Sequence, residues 1–74
     1  MNDQEKLHVM SLALKEVKGK EVANLSRETL VSELDLDSLD LVEVQLFFEA
    51  HLETVIKDPN KPIRTVGDLF DLVP

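Results

Sequence analysis

Val44, Phe48 and Leu52 repeat at the i, i+4, i+8 spacing that lines one face of an α-helix, and Leu41 and Val55 lie close to the same stripe. The helix has a start written into it. Asp37 can act as N-cap, and Asp40 three residues later occupies a capping-box position. The spacing therefore predicts a helix from Asp37 to about Glu53. A helix with one apolar face must bury it against other elements, so the rest of the chain is read for partners.

Leu7, Met10, Leu14 and Val17 also fall at helical spacing, with Ala13 beside them. Asn2 or Asp3 can cap this segment, and Gly19 reads as its stop, predicting a first helix over Asp3–Lys18. Val9 and Leu12 lie off its main stripe. Residues 20–36 are apolar in places (Leu25, Leu30, Val31, Leu34, Leu36) but not periodic. They read as a long loop tied down by its leucines, with Ser26 as a cap for a short turn through Leu30; loops of this length often carry function. Asp58 and Pro59 could start one helical turn, which Pro62 would end by disfavouring helical geometry at Lys61. Thr65 and Asp68 form another capping box, and Val66, Leu69, Phe70 and Val73 make the apolar face of a short last helix.

These elements add up to an all-α bundle of four helices, the third of them short or irregular. At 74 residues the chain is expected to form one small domain, residues 1–74. Domains of this size often need disulfides or a metal. The chain has no cysteine, which fits a reducing compartment and leaves any thiol chemistry to a cofactor or partner. The net charge of −7 argues against nucleic acid as a partner and for basic protein surfaces. No stretch approaches the roughly 18 apolar residues of a membrane span, and the first ten residues lack the pattern of a signal peptide. A cytoplasmic monomer is the expectation.

Ser38 is the residue whose role needs explaining. A calcium loop counted from Asp35 would want glycine sixth and glutamate twelfth, but those places hold Asp40 and Leu46. A nucleophilic serine would want the G-x-S-x-G elbow and a nearby base. Ser38 instead stands in Leu36-Asp37-Ser38-Leu39-Asp40, and His51 lies more than three turns along the same helix. No metal and no catalysis are expected. An Asp-Ser pair at a helix start is also ordinary capping chemistry. The surrounding charge is less ordinary. From Glu28 to Ile56 there are eight acidic residues and no lysine or arginine, as for a face kept negative for a basic partner.

Asp37-Ser38-Leu39-Asp40, followed by Val42-Glu43, resembles the signature of acyl carrier proteins. The size, helix order, long first loop and closing Ile63-Arg64-Thr65-Val66 extend the resemblance over nearly the whole chain. It implies an acyl-carrier-like bundle with 4'-phosphopantetheine, taken from coenzyme A, attached to Ser38 between Asp37 and Leu39. Acyl thioesters would ride on the arm between enzymes of fatty-acid, polyketide or a related specialised biosynthesis. The implied partners are a phosphopantetheinyl transferase and the acyl-transferring, synthase and ligase enzymes with basic docking patches. They would read Asp35, Asp40, Val42, Glu43, Leu46 and Glu49. The resemblance further implies an acyl pocket at Leu30, Phe48, Ile56, Ile63, Val66 and Leu69, positions that plain core packing would equally explain. Peptidyl carriers share the fold and the serine but are usually less acidic around it. A structural adaptor or an unmodified acidic interaction domain are the readings from other classes.

The chain departs from the family pattern in two places. Asp35 stands where glycine is common, three residues before the serine, and aspartate tolerates left-handed backbone better than most residues. The third-helix region is a residue short, with Lys57, Pro59 and Pro62 in it. With the bulky pair Phe47-Phe48, this points to a cargo other than the ordinary fatty acid.

Overall fold

The computed structural model describes residues 2–56 and 61–73. Among them are three α-helices, α1 (Asp3–Lys18), α2 (Ser38–Leu52) and α3 (Val66–Phe70), plus a 3-10 turn at Val31–Leu34. The described residues contain no strand, only an isolated antiparallel bridge between Leu30 and Thr65. The protein is all-α.

Each helix begins where a short polar side chain can satisfy an orphan backbone amide. The Asn2 Oδ1 accepts from the Glu5 amide at 2.9 Å and so caps α1. Gly19, at φ 66°, ends it, and the amides of Gly19 and Lys20 return to the Lys15 and Leu14 carbonyls. Asp37 and Asp40 form the reciprocal capping box at the start of α2, and Thr65 and Asp68 do the same for α3. These starts and the end of α1 agree with the sequence expectation. The segment expected to begin at Asp58 and Pro59 lies outside the described residues, and no helix covers Lys61 to Arg64.

α1 and α2 pack directly on each other. The core joins Val9, Met10, Ala13 and Leu14 of α1 to Val44 and Phe48 of α2 and to Val66, Leu69 and Phe70 of α3. The rings of Phe48 and Phe70 meet at 6.0 Å with a 54° tilt, a favourable aromatic geometry. The buried stripe of α1 is rotated from the expected one: Val9 is buried, while Leu7 and Val17 are only half-buried. Lys6, one turn before Val9 and Met10, bonds the end of α3, a contact that the spacing within α1 cannot reveal. Val55 departs further. α2 stops at Leu52, Glu53 turns left-handed, and Val55 points outward.

The loop over residues 20–36 has more structure than its aperiodic sequence suggests. Val31 and Leu34 drop into the core from the 3-10 turn, and Leu36 follows just beyond it. The turn after Ser26 is held by the Thr29 hydroxyl, which accepts from the Ser26 amide at 3.0 Å, the reverse of Ser26 capping it. Backbone bonds then fasten the loop to the start of α3: Val31 N–H to Arg64 O, Val66 N–H to Thr29 O, and Gly67 N–H to Arg27 O at 2.8 Å. The Arg27 guanidinium clamps the same region by bonding Asp3 in α1 and Asp71 beyond α3.

Candidate functional site

Ser38 is the first residue of α2 and is exposed to solvent. The capping box positions it. The Asp40 amide donates to Asp37 Oδ1 at 2.9 Å, and the Asp37 amide donates to Asp40 Oδ2 at 3.2 Å. Because the carboxylates of Asp37 and Asp40 do the capping, the serine hydroxyl is not needed for it and stays exposed to solvent.

The last turn of α1 meets this helix start. Lys18 Nζ donates to Asp40 Oδ2 at 3.0 Å, in a pair whose Asp40 side chain is only 17% exposed. Lys20 Nζ bonds Asp35 Oδ2 at 2.9 Å. Hydrogen bonding from Lys18, aided by the Asp37 amide, holds the Asp40 carboxyl below the usual carboxylate range. Lys20 does the same for Asp35, and the bond to Asp40 raises the Lys18 ammonium. The acidic run is therefore not a uniformly open negative face. Glu49 is also engaged, its Oε2 accepting from the Ile56 amide at 2.9 Å beyond the end of α2. Of the acids assigned to partner contact, Glu43 alone has no hydrogen bond or ion pair among the described residues.

The apolar residues of the same helix separate into two faces. Leu39, Val42 and Leu46 are 75%, 51% and 57% exposed, so they are not packed against the long loop. Spaced at i, i+3 and i+7 along α2, they form one apolar strip beside Glu43. At the far end, His51 stacks on Phe47 with ring centroids 5.0 Å apart.

Among the described residues, the positions assigned to an acyl pocket differ in exposure. Phe48, Val66 and Leu69 are fully enclosed in the core, Ile56 is buried at its edge, and Leu30 is 43% exposed beside the bridge to Thr65. Ile63 lines an open cleft of about 190 Å³, whose other walls are Ser38, Leu41, Val42, Gln45 and Lys61. Ser38, Leu41, Val42 and Gln45 follow the helical period, so their shared face is written in the sequence. Lys61 gives no such signal, because residues 61–64 carry no helical period.

Asp35 sits at φ 56°, ψ 36°, the left-handed region expected where it replaces glycine. Among the described residues no three histidine, aspartate or glutamate side chains gather closely enough to hold a metal ion. No described helix is long and apolar enough to cross a membrane. Comparison with protein-family models, with curated proteins and with solved structures returned no match to this chain.

Proposed function

We propose that this chain is a phosphopantetheine-dependent acyl carrier with an acyl-carrier-like bundle, modified on Ser38. The observation that carries the reading is the freedom of the Ser38 hydroxyl: it is exposed at the first turn of a fifteen-residue helix whose capping is done by its neighbours. In the modification, Ser38 Oγ forms a bond to the β-phosphorus of coenzyme A. The pyrophosphate P–O bond breaks, 3',5'-adenosine bisphosphate leaves, and the serine proton passes to the transferase or to water. The residues present fit such a group. The unpaired amides and positive dipole end of α2 favour a phosphate there, and Lys18 and Lys20 already offset two of the nearby aspartates. When bound, the arm supplies a thiol that holds acyl groups as thioesters, a group this cysteine-free chain lacks.

The strip of Leu39, Val42 and Leu46 beside Glu43 suits brief docking to enzymes with a basic rim. Charge raises the encounter rate, and a small apolar contact fixes register. A cytoplasmic, monomeric shuttle among biosynthetic enzymes is the cellular role that goes with this reading.

Incubation of the apo-protein with coenzyme A and phosphopantetheinyl transferases of broad specificity tests it by intact mass. The expected result is a gain of one phosphopantetheinyl group, abolished by Ser38→Ala. No gain with several transferases overturns the carrier reading in favour of an adaptor that binds its partner with Ser38 bare. A gain that persists in Ser38→Ala assigns the arm to another residue.

A further inference from the structure

We infer that the cleft beside Ser38 seats the phosphate-proximal end of the arm, with Lys61 as counter-ion of the phosphodiester and Gln45 as partner of the first amide. This rests on the carrier reading above and adds to it residues that the signature around the serine does not contain.

Charge is the first reason. Modification puts one more negative charge beside Asp35, Asp37 and Asp40. The two lysines nearest those acids are already bonded, Lys18 to Asp40 and Lys20 to Asp35. Lys61 lines the cleft together with Ser38 and makes no ion pair within the described residues. Asp68, whose carboxylate Lys61 helps to keep ionised, is already committed to the Arg64 and Thr65 amides. A phosphodiester on Ser38 would give the Lys61 ammonium a partner in the same cleft.

Chemical order is the second. The first part of the arm after the phosphate is a compact branched segment. That segment carries two geminal methyls, a hydroxyl and then an amide. The cleft offers the apolar side chains of Leu41, Val42 and Ile63 next to Ser38, and then the Gln45 amide. Gln45 lies seven residues along α2, roughly 10 Å from Ser38 by helical rise, a distance the first bonds of the arm can span. The core offers no rival berth at Phe48, Val66 and Leu69, which are already in close contact with their neighbours.

The test uses isotope-labelled apo-protein and the same protein after modification, with the mass gain read first. Nuclear Overhauser effects are expected between the geminal methyls of the arm and the methyls of Val42 and Ile63. Shifts are expected at the Gln45 side-chain amide and at the backbone of Lys61 and Ile63. Lys61→Glu should at least halve the Gln45 shift, and Lys61→Arg should keep it. Mass gain with shifts confined to residues 37–39, and no contact from the arm to Val42 or Ile63, overturns the cleft assignment and leaves the carrier reading standing. No mass gain overturns the carrier reading itself. Unchanged Gln45 shifts in modified Lys61→Glu overturn Lys61 as counter-ion.

Discussion

Asp35 shows how one residue can meet a backbone demand and a charge demand together. Its left-handed backbone is a conformation most side chains resist, and aspartate is among the few that tolerate it. Its carboxylate meanwhile bonds Lys20. Asp35→Gly should therefore hold the melting temperature near the parent value, because relief at the backbone offsets the lost surface pair. Asp35→Val, a β-branched residue forced into the same conformation, should lower it clearly. A lower melting temperature for glycine than for valine would contradict this account. Asp40 lends itself to a pH prediction. Its folded pKa lies below the ordinary carboxylate value of 3.8, first through the Lys18 hydrogen bond and then through the Asp37 amide. The stability this contributes is present above 3.8 and is lost as pH falls through the lower folded value. Lys18→Met should thus move the acid-unfolding midpoint upward and leave a smaller stability difference between pH 5 and pH 3. The Asp37–Asp40 box could be read from the sequence because its partners are three residues apart. The Lys18–Asp40 pair could not, because a twenty-two-residue separation has no periodicity to betray it.

At the scale of elements, α3 is the informative case. Five residues are far too few for an isolated helix, so its neighbours must hold it. The Thr65/Asp68 box serves one end. At the other, the buried Lys6 ammonium donates to the carbonyls of Phe70 at 2.9 Å and Val73 at 3.2 Å. A cation on the last carbonyls of a helix also opposes the negative end of its dipole. Lys6→Met keeps the aliphatic stem but leaves those carbonyls without a charged donor, and should cost about 2 kcal/mol in urea unfolding. Gly67 secures the middle: a β-carbon there would meet the Arg27 carbonyl oxygen at 3.1 Å and the Arg27 side chain at 3.2 Å. Crowding costs of about 1–3 kcal/mol are then partly offset by the better helix propensity of alanine. Gly67→Ala should therefore destabilise by about 1 kcal/mol; a gain in stability would mean that the loop can step aside. The capping box and apolar spacing of α3 were legible in the sequence. Its dependence on Lys6 was not, since a lysine on α1 reads as solvent-facing until the fold brings α3 against it. The 3-10 turn stayed hidden for the opposite reason: Val31 and Leu34 face the core from irregular backbone, which leaves no period to read.

For the molecule as a whole, the net charge of −7 is confined within extents of 25 × 23 × 21 Å. Raising salt from about 0.01 M to about 0.15 M shortens the screening length from roughly 30 Å to about 8 Å. At the low end every carboxylate acts on every other across the whole molecule; at the high end only near neighbours do. The pairs that stabilise the fold are contacts of about 3 Å, Lys18–Asp40 and Lys20–Asp35 among them, and screening weakens them far less than the diffuse repulsion. The balance therefore favours folding as salt is added. A rise of roughly 4–8 °C in melting temperature, corresponding to about 1 kcal/mol, is expected across that range. A generic salt effect on apolar burial would raise it too, so the charge dependence needs its own control. Glu43→Gln and Glu53→Gln remove two charges at exposed positions. The double variant should melt higher than the parent at low salt and respond less to added salt, so that the two curves converge. Parallel curves would show that self-repulsion is not what limits the stability of this protein, and that the acidic run on α2 is retained at no cost to the fold.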